Sequence, residues 1–260
     1  MAHVARLPAA AFGAAGPPPR KLLREHLAIL VAELVTPAER AAWTEGVYAA
    51  REGWVADFEA QQFTLGLAWY THLEQGKTRE YFAGAAAANE RVERFAPGLQ
   101  ARLRALAAGL VGAPVHPRPG WCGAGVHIFP RGAEVARRGG AVHYDLEGLT
   151  PAMLAERAPA FSLVGVLQPP DAGGGLRLWD RTWAGDDAGA EPAADETGTV
   201  HDVLPADLPA PAVTVAYGPG DLAVIDCYRL HQIEPFGGER DRVTVTAHVA
   251  KGLGGWEIWF

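Results

Sequence analysis

Cysteine is almost missing from this 260-residue chain, which has only Cys122 and Cys227. Two thiols are too few for a disulfide scaffold or a zinc ribbon. They read as reduced, structural cysteines of a cytoplasmic protein. Basic charge is also short. Lys and Arg total 23 against 30 Asp and Glu, a net charge of −7, so there is no electrostatic footprint for nucleic acid. No apolar run reaches the roughly 18 residues that would suggest a membrane span. The N-terminal stretch 1–20 is rich in alanine but is broken by Pro8 and by Pro17 to Pro19. Without a continuous apolar h-region it reads as a flexible arm, not a signal peptide. No internal repeat is visible.

Apolar residues, by contrast, are plentiful. At 49% they suffice for one globular domain with a full core. The run LAILVAELV, 27–35, is too short for periodicity to separate strand from helix. The next residues decide it. Thr36, Pro37 and Glu39 form a capping-box pattern that starts a helix running to about Arg51 and ending at Gly53, so the preceding run is expected to be a strand. Residues 54–82 are mixed and aromatic. A second helix is expected over 83–95, ending before Pro97. In a third, Leu99, Leu103, Leu106 and Leu110 share one face and Gly112 is the stop.

After Pro114 helical periodicity vanishes, and short apolar runs alternate with Gly and Pro turns. Strands are expected near 124–129, 140–144, 161–168, 175–179, 212–217, 221–226, 229–234, 241–249 and 255–260. This pattern means a β-sandwich or barrel. Residues 184–210 are rich in Asp, Glu, Ala and Pro, and read as a long surface insertion.

The densest chemistry lies from His231 to Val249. Val243, Val245, Ala247 and Val249 fall on one face of an extended strand. Arg240, Arg242, Thr244, Thr246 and His248 share the other parity. A planar guanidinium on that polar face suits bidentate grip of a carboxylate. Upstream stands His143-Tyr144-Asp145. In a strand, residues i and i+2 point the same way, so His143 and Asp145 can serve one ion. His231 is the natural third ligand. Two imidazoles and one carboxylate on one face of a metal form the triad of non-haem iron oxygenases, with three positions left open. A single histidine is more often a satisfied core residue. The rival His72-Leu73-Glu74 lies in the helical half, where i and i+2 diverge.

Taken in order, HYD (143–145), GGGLRLW (173–179), GPGDLAVID (218–226) and HQIEPFGGER (231–240) resemble the Fe(II)/2-oxoglutarate-dependent dioxygenases over roughly residues 120–250. HQIEP with an arginine nine residues after His231 is similar to the prolyl-hydroxylase-like branch. The resemblance implies a mostly β fold with α, a double-stranded β-helix (jelly-roll) core with N-terminal helices packed against it. It implies one oxygenase domain over 21–260: a helical part to about 113, a jelly-roll core over 114–260, and the insertion 184–210. It implies His143, Asp145 and His231 as iron ligands, with 2-oxoglutarate as cosubstrate and dioxygen as oxidant. The distal carboxylate of 2-oxoglutarate falls to Arg240, preferred on spacing, or to Arg242, since Arg242-x-Thr244 also fits the family's R-x-S/T pattern. Phe129 stands where related enzymes often carry a tyrosine, and His127, on the same strand face, is its replacement.

The expected activity is hydroxylation or desaturation of a small polar molecule, such as an amino acid or natural-product intermediate. The expected partner is that small molecule, with no nucleic acid and no membrane. Three rivals stay open: a prolyl-type protein hydroxylase, an iron oxidase independent of 2-oxoglutarate, and a metal-free β-barrel binding protein. In GLRLW, Arg177 and Trp179 share the face opposite Leu176 and Leu178. If that face is the barrel interior, they meet the substrate. The competing reading for Arg177 is an exposed strand arginine. Trp121, Trp183 and Trp256 read as core or hinge aromatics.

Overall fold

Thr36 separates a strand from a helix, and the cause is local. Its Oγ1 accepts from the Glu39 amide at 3.2 Å, and Glu39 Oε2 accepts from the Thr36 amide at 2.9 Å. This capping box, with Pro37 in the first turn, starts helix Pro37–Ala49. The preceding run therefore ends as the short, buried strand Ala28–Ala32. The computed structural model describes residues 3–11, 19–184, 193–194, 200–201 and 208–260.

Two longer helices follow. Helix Thr78–Phe95 starts five residues before the expected 83. Its buried stripe begins at Tyr81 and continues through Ala85, Ala88 and Val92, so the first turn is needed to seat Tyr81. Helix Leu99–Val111 buries Leu99, Leu103, Leu106 and Leu110. Truncating any one of them to alanine would cost about 2–5 kcal/mol. Gly112, at φ 67°, ends the helix in the left-handed conformation.

These helices cover one face of a ten-stranded sheet. Its centre is formed by Ala28–Ala32, Leu222–Asp226, Ala160–Gln168, Arg242–Gly252 and Gly125–Phe129, in that order. Alternation along Arg242–Gly252 sorts the side chains. Val243, Val245, Ala247 and Val249 join the core beneath the helices. The other face looks toward a three-stranded sheet ordered Val213–Val215, Leu176–Thr182, Arg229–Ile233. Ala28, Leu30, Ala223 and Ile225 of the large sheet pack there against Leu176, Leu178 and Val215 of the small one. The result is a mixed, β-rich fold with helices on one side and a second, smaller sheet on the other.

Four expectations change. Residues 4–8 are not a loose arm: Val4–Pro8 is a strand, paired in parallel with Ala28–Ala32, and Ala5 joins the core. Segment 140–144 is not a strand. Short helix Glu134–Arg138 precedes it, and only His143 makes a bridge, to His231. The stretch 54–82 contains an unforeseen hairpin, Val55–Asp57 with Gln62–Leu65, which extends the large sheet beside Gly125–Phe129. Its turn uses Phe58, Glu59 and Ala60 at φ 50°, 55° and 66°, left-handed positions without the usual glycine or asparagine. Lastly, the part up to about residue 113 is not only helical, because its strands Ala28–Ala32, Val55–Asp57 and Gln62–Leu65 belong to the large sheet.

The expected insertion 184–210 lies largely outside the described residues. Within it, Ala193–Ala194 pairs with Val200–His201. Both cysteines are free and buried. Among the described residues no helix is long and apolar enough to cross a membrane.

Candidate metal centre

His143 and His231 bond to each other through both backbone amides, each N to O distance being 3.0 Å. Two residues on, the Asp145 amide donates to the Cys227 carbonyl at 2.9 Å. A single bridge and one further bond thus hold the extended segment 143–145 along the edge of the small sheet. Their side chains converge. His143 Nε2 lies 3.4 Å from Asp145 Oδ1, and His231 Nε2 lies 3.4 Å from Asp145 Oδ2. One ligand atom from each residue falls within 4.8 Å of the other two, the spacing of a three-residue metal site.

The histidine tautomers fit the same purpose. His143 Nδ1 donates to the Ala141 carbonyl and His231 Nδ1 to the Arg229 carbonyl, both at 2.9 Å. Each ring is thereby fixed with Nε2 turned inward, and a neutral ring offers its lone pair there. Burial pulls His231 down to about 4, so it is neutral. Burial also pulls on His143, but the hydrogen bond and charge of Asp145 win and hold it up at about 10. For Asp145, burial is outweighed by the surrounding histidines, and its carboxyl sits well below the usual carboxylate range.

Arg242 is the second organising group. It is 2% exposed and starts the long strand on the site face. Its Nε donates to the Gly174 carbonyl at 2.9 Å, Nη1 to Thr244 Oγ1 at 3.3 Å and Nη2 to Tyr217 Oη at 2.8 Å. The guanidinium lies 5.3 Å from the Phe129 ring centre. Gly174 presents its carbonyl from a left-handed conformation, φ 75°, and an added Cβ would run into Pro170 at 2.6 Å.

Arg240 is elsewhere, so the preference for it on spacing is corrected. Its side chain is 52% exposed and paired with Asp171, whose oxygens also accept from the Glu239 and Arg240 amides. It borders a cavity of about 520 Å³ on the helix-covered side of the sheet, with Tyr48, Trp54, Phe63 and Ile128. Arg177 and Trp179 are also turned away. Leu176 and Leu178 take the interior. Arg177 meets Gln232 at 3.4 Å on the outer face, and Trp179 packs with Val142 and Leu230. His72 is a helix residue whose Nδ1 bonds the Ala68 carbonyl at 2.8 Å.

His127 does face the interior. It stands opposite Thr244 and Thr64 in the sheet, 3.5 Å from Gln62 Nε2, and burial pushes it down to about 3. The hairpin contributes Gln62, hydrogen-bonded to Tyr70 Oη at 2.6 Å. Gln62, Tyr70, Tyr217 and Ser162 were not singled out from sequence. Ser162, alone among apolar neighbours in AFSLVGV, carried the one available signal, a polar residue inside a buried strand.

No family model matches the chain, and no curated protein matches it by sequence. Solved structures do match. The N-substituted L-amino acid dioxygenase from Burkholderia ambifaria AMMD superposes with a TM-score of 0.57 at 19% identity, over 97% of this chain and 91% of that one. The epimerase SnoN, in complex with Fe3+, alpha ketoglutarate and nogalamycin RO, gives 0.52 at 17%, over 88% and 80%. The non-heme alpha ketoglutarate dependent carbocyclase SnoK from nogalamycin biosynthesis gives 0.53 at 16%, over 91% and 84%. The likeness is one of fold, and it assigns no branch. The chain has the fold of the Fe(II)/2-oxoglutarate-dependent dioxygenases.

Proposed function

We propose that the chain is a non-haem Fe(II)/2-oxoglutarate-dependent oxygenase on a jelly-roll core. It hydroxylates or desaturates a small polar molecule, such as an amino acid or natural-product intermediate, with succinate and carbon dioxide as co-products. One observation carries the proposal: the His143–Asp145–His231 set on the small sheet and the buried guanidinium of Arg242 on the large sheet both look into the interior between the two sheets.

The donor set fits Fe(II). It offers two imidazole Nε2 atoms, that of His231 neutral and that of His143 freed when an ion displaces its proton, and one ionised carboxylate, with both Nδ1 atoms already committed to backbone carbonyls. When bound, the ion would supply dioxygen activation coupled to oxidative decarboxylation of 2-oxoglutarate. Everything else is the protein's work. Arg242 has five N–H donors and places three of them, leaving two for the distal carboxylate of the cosubstrate. Thr244 accepts from Arg242, so its own hydroxyl proton is available to the same carboxylate. Phe129 and neutral His127 close the floor beside it and keep competing charge away. Gln62 and Tyr70 border the interior from the hairpin side and are placed to orient bound molecules. The amino-acid dioxygenase and the two nogalamycin-biosynthesis enzymes support a small-molecule substrate. The two buried free thiols support a cytoplasmic location.

Anaerobic titration of metal-free protein with Fe(II), then 2-oxoglutarate, tests this reading. A weak visible charge-transfer band in the wild type, absent in His143→Ala, is the expected result. Succinate release then screens substrates. Iron binding with no band would favour an oxidase independent of 2-oxoglutarate, and no iron binding would overturn the oxygenase reading.

A further inference from the structure

Ser162 is 1% exposed, and its hydroxyl touches three groups. It donates to Asp145 Oδ2. His248 Nδ1 lies 3.1 Å from the same Oγ, and Cys227 Sγ lies 3.4 Å from it. A serine hydroxyl has one proton and two lone pairs. Asp145 is ionised and only accepts, so it takes the proton. The two lone pairs are left for the His248 N–H and the Cys227 thiol, and every bonding direction of Ser162 is then filled. The strand register secures this. Ser162 stands opposite His248 in the ladder between Ala160–Gln168 and Arg242–Gly252, on the interior face. Cys227 also carries the carbonyl that accepts from the Asp145 amide. The result is a directed chain, His248 to Ser162 to Asp145, ending on one particular oxygen.

We propose that Ser162, oriented by His248, is a positioning residue that makes Asp145 a one-oxygen metal ligand. Asp145 Oδ2 is engaged by the hydroxyl, while Oδ1 faces His143 Nε2 at 3.4 Å and meets no hydroxyl among the described residues, which leaves it to the ion. A carboxylate that turned to bind through both oxygens would take up one of the three positions that cosubstrate and dioxygen need. Ser162 thus protects coordination sites as well as ligand orientation. This inference rests on the metal-centre reading above, and its test separates the two.

The test compares Ser162→Thr with Ser162→Val, near-isosteric variants that differ in the hydroxyl. Co(II) binding is followed by its visible absorption and Fe(II) binding by equilibrium dialysis. The Fe(II)·2-oxoglutarate band gives cosubstrate affinity. The valine variant should bind metal about 10- to 100-fold more weakly, with cosubstrate affinity falling too, while threonine retains both. His248→Phe should weaken metal binding in the presence of Ser162 and add little in its absence, since it acts through the hydroxyl. Equal metal and cosubstrate affinities for the threonine and valine variants would overturn the proposal. So would fully additive effects of Ser162→Val and His248→Phe. Absence of metal binding in the wild type would instead reject the metal centre itself.

Discussion

His143 and His231 are bridge partners, and each donates Nδ1–H to the carbonyl two residues before it, that of Ala141 and that of Arg229. The two imidazoles are therefore set by backbone, before any ion arrives. Removing one of them should leave the fold intact and abolish the site. His143→Ala or Asp145→Ala is expected to weaken Fe(II) or Co(II) binding by roughly a hundredfold or more, because two remaining donors cannot hold the ion in competition with water. Calorimetry, with circular dichroism to confirm folding, checks this. Affinity unchanged in both variants would place the ion elsewhere.

The same geometry sets a pH dependence. Asp145 holds His143 above its ordinary value of 6.5, up to about 10, against the pull of burial. A raised folded-state value means this pair stabilises the metal-free fold fully below about pH 6.5, and the contribution is lost as pH rises through about 10. A divalent ion must displace that proton. Near pH 7, metal uptake should release one proton, and apparent affinity should rise about tenfold per pH unit. Titration in buffers of different ionisation enthalpy counts the protons. A count of zero would show that His143 is already neutral in the metal-free protein.

Arg240 and Arg242 should separate cleanly. Arg242→Ala removes a buried guanidinium and leaves the Gly174 carbonyl and Tyr217 hydroxyl without their donor. Cosubstrate affinity is expected to fall by about 2–5 kcal/mol. Lysine should not rescue it, lacking the planar fork. Arg240→Ala removes an exposed ion pair with Asp171, a change of about 0–1 kcal/mol in stability, with 2-oxoglutarate binding unaffected. Anaerobic titration of the chelate band distinguishes them, and a larger loss in Arg240→Ala would reverse the assignment.

Arg177 lies on the outer face of the small sheet beside Gln232, while Leu176 and Leu178 fill the interior. Arg177→Ala is therefore expected to leave substrate KM and succinate formation within about twofold of wild type. A selective rise in substrate KM would restore the substrate role that sequence parity alone suggested.

Arg118 holds the loop that follows Asp145. It donates to the Gly148 carbonyl at 2.6 Å, pairs with Glu257 at 3.0 Å, and lies over both the Trp121 and Trp259 rings, 4.5 and 4.1 Å from their centres. Arg118→Ala leaves the carbonyl and Glu257 without this partner and uncovers the faces of two indoles. A loss of about 3 kcal/mol is expected. Thermal unfolding of the metal-free protein measures it. A loss below about 1 kcal/mol would show that Arg118 does not anchor the loop.

Much was legible in sequence because its cause is short-ranged. The capping box at Thr36 and Glu39, the leucine stripe from Leu99 to Leu110 and the alternation along 242–249 each depend on neighbours within a few residues. So does the approach of the His143 and Asp145 side chains to one another, although an edge segment, not a regular strand, supplies it. The hairpin bearing Gln62 stayed hidden because its left-handed turn residues carry no turn signature.

The sequence by itself therefore determined the three long helices, most strands and the pairing of His143 with Asp145, since backbone periodicity and capping are properties of the local chain. Tertiary structure alone decided which arginine faces the interior. Counting from His231 cannot reveal that Asp171, 69 residues before Arg240, captures it at the surface, or that Gly174 and Tyr217 receive Arg242 inside. Tertiary structure also decided that Ser162 reaches Asp145 and is itself met by His248 and Cys227, because packing brings together residues that lie up to 86 positions from Ser162. Such contacts are chosen by packing the whole sheet, where one face must bury its apolar side chains and the other inherits the polar remainder.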